Sequence, residues 1–171
     1  MARQFITIPG VGRKGARILA LLWRRDDAVA AIEFALLGST FLLLACMIFE
    51  LGLILFTQSV MDNALRDAAR QIMTNQITTG SAFQTKVCNE VGNLVTNCTT
   101  NLKYYVQTGA TFSAMTIQTS IASNAFTDGG TAADQLAQIA YSRSTIIPWA
   151  STYLHGSNVI LSTVAFQNEP Y

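Results

Sequence analysis

Residues 28–58 read AVAAIEFALLGSTFLLLACMIFELGLILFTQ, and the rest of the chain is organised around them. Sixteen uncharged residues separate Glu33 from Glu50. As a helix they rise about 24 Å, a little short of the roughly 30 Å hydrocarbon layer of a bilayer. The whole run from Ala28 to Phe56 rises about 43 Å. The two glutamates are therefore expected near opposite interfaces. A helix in a soluble core keeps a polar stripe, whereas Leu42, Leu43, Leu44, Met47, Ile48 and Phe49 cover every face. The run is also longer than the apolar part of a secretory signal, and no small-residue cleavage site follows it. It reads as one retained transmembrane helix over 29–56.

The flanks give that helix a direction. The chain has 171 residues and a net charge of +1, unevenly spread. Residues 1–25 carry Arg3, Arg13, Lys14, Arg17, Arg24 and Arg25 and no acid. Residues 57–171 carry five basic and six acidic groups. A Lys/Arg-rich flank stays in the cytoplasm, so residues 1–28 are expected to be a cytoplasmic leader and the C-terminal part extracytoplasmic. The leader has no interleaved aromatic residues and no basic helix stripe, so nucleic acid is not an expected partner.

The helix is expected to continue beyond the membrane over 57–79. Met61, Leu65, Ala68 and Ile72 recur at spacings of four, three and four, one apolar stripe. Asp62 with Arg66, and Asp67 with Arg70, are placed to pair along the polar face. A single helix from about Ala30 to Met73 would be roughly 65 Å long.

Residues 80–171 read as one small α+β domain. Phe83, Val87, Val91 and Leu94 predict an amphipathic helix over 81–95. Leu102, Tyr104 and Val106 alternate with polar neighbours, as do Ala137, Ile139 and Tyr141, and NVILSTVAF (158–166) is β-branched and apolar. Asp128-Gly129-Gly130 marks a turn, and Pro148 interrupts the chain before Trp149. The predicted fold is α+β: a long N-terminal helix, transmembrane then amphipathic, with a small antiparallel sheet packed on its C-terminal half.

Cys88 and Cys98 fall in the part assigned to an oxidising compartment, so a disulfide is expected between them. Cys46 reads as a buried apolar filler in the span. Nothing predicts a metal or another cofactor: His155 is the one histidine, and no second cysteine pair accompanies Cys88 and Cys98. A triad of His155 with Ser151, Ser157 or Asp134 has no nucleophile elbow behind it, so no enzyme is expected.

Glu33 is the residue in the span that asks for a chemical role. A carboxylate there either reaches the cytoplasmic interface and favours the helix N-terminus, or pairs with a cation on a partner. The string VAAIEF sets Glu33 four residues after Val29, with Phe34 next and a charged leader upstream. This resembles the type IV pilins and pseudopilins, and within them the TadE-like family of the tight-adherence (Flp-type) pilus system. IFELGLILFTQ, DNALRDAARQIMTNQ, STVAFQNEPY and the spacing of Cys88 and Cys98 are similar to stretches of that family. About Thr111 to Asp134 shows no such similarity.

The resemblance implies a minor pilin-like subunit or assembly factor in a bacterial inner membrane, with a periplasmic domain. Its partners would be lipid, other pilins or pseudopilins, the pilus assembly platform and a prepilin peptidase. That peptidase would cut between Ala28 and Val29. Glu33 would be the assembly carboxylate and Phe34 the motif aromatic. Two departures stand out: Ala28 replaces the usual Gly, and Asp26 and Asp27 stand where basic residues are commoner. The alternative is an unprocessed single-pass anchor carrying a periplasmic adaptor or sensor. Glu50 reads as a far-interface residue or as a polar contact to a partner helix, with Gly38 and Gly52 allowing close approach.

Overall fold

The structure is a computed structural model that describes residues 26–143 and 158–170. The basic leader, Pro148, Trp149, Ser151, His155 and Ser157 lie outside the described residues. The chain divides into two compact units, Met1–Met47 and Ile48–Tyr171.

Helix α1 runs without interruption over Asp26–Met73, 48 residues. In the first unit its side chains from Val29 to Leu44 are exposed apart from a half-buried Gly38, and most are large and apolar. The hydroxyls in this stretch turn back on the helix: Ser39 and Thr40 both donate to the Leu36 carbonyl. That satisfies polar groups which hydrocarbon cannot. Cys46 is exposed on the helix surface and is not a buried filler.

In the second unit the expected stripe is the core. Met61, Leu65, Ala68 and Ile72 are buried, joined by Ala64 and Ala69. Each large side chain buried this way contributes about 1.5–3 kcal/mol. The expected ion pairs along the opposite face do not form. Asp62 accepts from Gln58, and Asp67 stands 3.9 Å from Lys86 of the next helix. Asp62 thus takes a neutral partner one turn earlier on the same helix, and only Asp67 turns to another element. The helix ends in a Schellman turn: Gln76 donates to the Gln71 carbonyl and Asn75 to that of Ile72, with Asn75 at φ 57°.

Helix α2 is Gly80–Val91, and the Thr79 side chain caps it by accepting from the Ala82 amide. It is shorter than the expected 81–95 span, because Gly92 at φ +53° stops it and a 3-10 turn, Gly92–Leu94, follows. Phe83, Val87 and Val91 are buried as the periodicity requires, but beyond the stop Val95 is buried and Leu94 exposed. A short helix α3, Cys98–Asn101, leads into the sheet. Cys88 and Cys98 are disulfide-bonded, with Cα atoms 5.7 Å apart.

The strands are β1 (Leu102–Gly109), β2 (Ala125–Phe126), β3 (Asp134–Arg143) and β4 (Asn158–Gln167), in the order β2-β1-β3-β4. β1–β3 and β3–β4 are antiparallel as expected; β2 adds to the edge parallel to β1, so the sheet is mixed. Two-residue β2 carries no readable alternation, and it lies in the stretch without family similarity.

One sheet face, with Val106, Ala137, Ile139 and Ile160, packs into the core with α1 and α2. Alternation along β3 suggested a solvated second face. Yet Gln138 and Ala140 are buried. The connection before β2 covers them: Gln138 accepts from the Gln118 amide at 2.9 Å and donates to the Gln118 carbonyl at 3.2 Å. A buried glutamine thus stands in for a strand neighbour.

Candidate functional site

Two stretches of α1 are candidate sites: its first turns, in the first unit, and Glu50 to Gln58, in the second. This helix is long and apolar enough to cross a membrane. Ala28 and Val29 lie in its first turn, and Val29 is half exposed. Glu33 is exposed one turn later, and among the described residues it enters no ion pair or side-chain hydrogen bond. Phe34 beside it is 78% exposed, and its ring lies over Gly38 along the same helix.

Glu50 has the opposite surroundings. It is 4% exposed, and Oε1 lies 3.5 Å from Nη1 of Arg143 at the end of β3. The Arg143 side chain is itself 15% exposed. Neither reading of Glu50 from the sequence included a partner within the chain. Thr57, two turns on, is equally buried and donates to the Leu53 carbonyl at 2.7 Å. Gln58 then reaches β4, donating to the Leu161 carbonyl and to Ser162 Oγ. Glu50, Thr57 and Gln58 thus form a polar edge, facing the sheet, on an otherwise apolar helix. Nothing in the local sequence flagged Arg143; the pairing exists because β3 ends where Glu50 passes.

Farther along, Lys86 of α2 bonds Glu90 at 2.6 Å and faces Asp67 of α1. The Glu90 hydrogen bond holds the Lys86 ammonium above its ordinary 10.5; desolvation opposes it, and the charges of Glu90 and Asp67 add to the rise. Among the described residues, no group of three or more His, Cys, Asp or Glu is placed to hold a metal.

The two carboxylates of the span are therefore unlike. Glu50 is buried beside Arg143 inside its own unit. Glu33 is offered outward from an apolar helix, together with an exposed aromatic. The family model described as TadE-like protein matches residues 28–70, from the small residue before Val29 into the last turn of α1. Over that segment the chain is similar to proteins of that description. No curated protein and no solved structure matches the chain.

Proposed function

We propose that this chain is a minor pilin-like (pseudopilin) subunit or assembly factor of a tight-adherence type IV pilus, acting by helix packing and domain contacts and not by catalysis. The contrast between outward-facing Glu33 and buried Glu50 carries the reading. A prepilin peptidase at the cytoplasmic face of a bacterial inner membrane cuts between Ala28 and Val29. The new terminus at Val29 is an α-amine, cationic near neutral pH. In lipid, opposite charges attract far more strongly than in water. Glu33 of one subunit then pairs with the Val29 amine of a neighbour already held by the assembly platform, fixing the stagger of parallel helices. Phe34 packs beside that contact. The basic leader supports a cytoplasmic N-terminus. The disulfide supports a periplasmic position for the folded unit.

Glu33→Gln tests the pairing. It keeps shape and removes charge, so membrane insertion and the disulfide are expected to persist. Co-purification of two differently tagged copies in mild detergent is expected to be lost. Unimpaired co-purification overturns the role given to Glu33. Ala28 in place of the usual Gly favours the second reading, an unprocessed single-pass anchor with a periplasmic adaptor or sensor domain. Such an anchor tolerates Glu33→Gln without loss.

A further inference from the structure

The sheet has two edges, and the chain treats them differently. It closes the outer side of β1 itself: β2 pairs with Tyr105 and Val106, the Thr127 amide donates to the Val106 carbonyl, and Asn124 Oδ1 accepts from the Tyr104 amide. The other edge is β4, ten residues long. Its pairing with β3 runs from Asn158 to Gln167 with no residue inserted, so main-chain direction alternates strictly along it. The Asn168 amide continues that ladder by donating to the Ala133 carbonyl, so the even-numbered residues face β3. Leu161, Thr163, Ala165 and Gln167 therefore turn their N–H and C=O groups away from the sheet. Gln58 of α1 occupies the Leu161 carbonyl. Thr163, Ala165 and Gln167 are exposed, and their outward main-chain groups meet no hydrogen-bond partner among the described residues. Long open edges are ordinarily blunted by a lysine, a proline or a bulge. Residues 158–167 carry no charge, no proline and no bulge.

We propose that the Thr163–Gln167 edge of β4 is a docking site for an extended segment of another protein, which adds to the sheet as an antiparallel fifth strand. The edge dictates the chemistry of that segment. It is uncharged opposite Thr163 and Ala165, whose small neutral side chains offer no counter-charge. It carries a basic residue at its N-terminal end, because Glu169 is exposed just past Gln167 and Asp134 is the partner of Gln167 on β3. A second copy of this chain does not have that chemistry. Its β4 meets this one only about a two-fold axis. The two-fold pairing that joins Thr163 to Gln167 of the copy sets Glu169 of one chain beside Leu161 of the other. There Gln58 already fills the carbonyl and also holds Asp62, so acid meets acid. The proposal goes beyond the pilus reading and depends neither on Glu33 nor on removal of the leader.

The test is residue-resolved amide hydrogen exchange on the full-length protein in dodecyl maltoside, with the Cys88–Cys98 disulfide left oxidised. The probe is a synthetic peptide, acetyl-Lys-Thr-Val-Thr-Val-Thr-amide, at millimolar concentration. The Thr163, Ala165 and Gln167 amides are expected to exchange fast alone and roughly tenfold slower with the peptide. Val164 and Phe166, bonded to β3, stay slow throughout. The same peptide N-methylated at every residue lacks the main-chain donors and is expected to give no slowing. Ala165→Pro removes an outward N–H where an edge strand tolerates proline. It should abolish the slowing at Thr163 and Gln167 and leave Val164 and Phe166 protected. No slowing by the peptide, slowing that survives Ala165→Pro, or equal slowing by the N-methylated form overturns the proposal. Outward amides already slow in the free monomer overturn it by showing an edge closed by its own chain. Slowing that grows with protein concentration without peptide overturns it by assigning the edge to a second copy.

Discussion

Replacing Arg143 with Met removes the cation beside Glu50 while keeping most of the side chain's volume. At 3.5 Å the pair attracts with about 5 kcal/mol for an effective dielectric of 20, before the cost of desolvating both groups. Breaking a buried pair by removing one partner destabilises by about 3–5 kcal/mol, because the charge left behind stays out of water. Exposures of 15% and 4% place this pair in that class and not among surface bridges. Glu50→Leu combined with Arg143→Met removes both charges, and such replacements are often neutral to within about 1–2 kcal/mol. The assay is urea unfolding in dodecyl maltoside, followed by near-UV circular dichroism, for wild type, both single variants and the double. The expected order puts Arg143→Met lowest, with the double variant recovering most of the loss. An Arg143→Met loss under about 0.5 kcal/mol, or a double variant no better than Arg143→Met, refutes the reasoning.

Three further outcomes follow from packing and charge. A Cβ on Gly80 would stand 2.6 Å from Tyr104 Oη and 3.0 Å from Phe126 Cβ, and the Tyr104 ring is held edge-on to Phe83. Gly80→Ala should therefore cost about 1–3 kcal/mol in the same unfolding assay. Replacing Cys88 and Cys98 together by Ser should cost about 2.5–3 kcal/mol, the chain-entropy value for so short a loop, read as a lowered urea midpoint. Lys86 has its folded pKa above the ordinary 10.5, so its stabilisation is complete below that value and is lost as pH rises through the folded one. Lys86→Met should leave a shallower fall in urea midpoint between about pH 9 and 12 than wild type shows.

The parts legible in the sequence were those with a local period. The stripe Met61, Leu65, Ala68 and Ile72 is the helix face in the core, and the helix ends at Met73 as its pattern implied. The three long strands sit on the segments that alternate or are β-branched. What escaped depends on contacts between distant residues. Gln138 looks solvent-facing by alternation, and only the path of the chain near Gln118 buries it. Arg143 carries no sign that it ends beside Glu50. Asp67 has a local basic neighbour in Arg70, but tertiary packing brings Lys86 closer. The candidate site divides the same way: Glu33 and Phe34 stand out through their spacing from Val29, whereas the buried state of Glu50 required the fold.

The account rests most heavily on Val29 becoming the amino terminus, since Glu33 needs that cation on a neighbouring subunit. Intact-mass spectrometry of the protein purified from membranes of a host with the prepilin peptidase reads this directly. The predicted result is a chain lacking residues 1–28, with the full-length mass retained when the peptidase is absent. A full-length mass in both hosts contradicts the account and leaves an uncut membrane anchor.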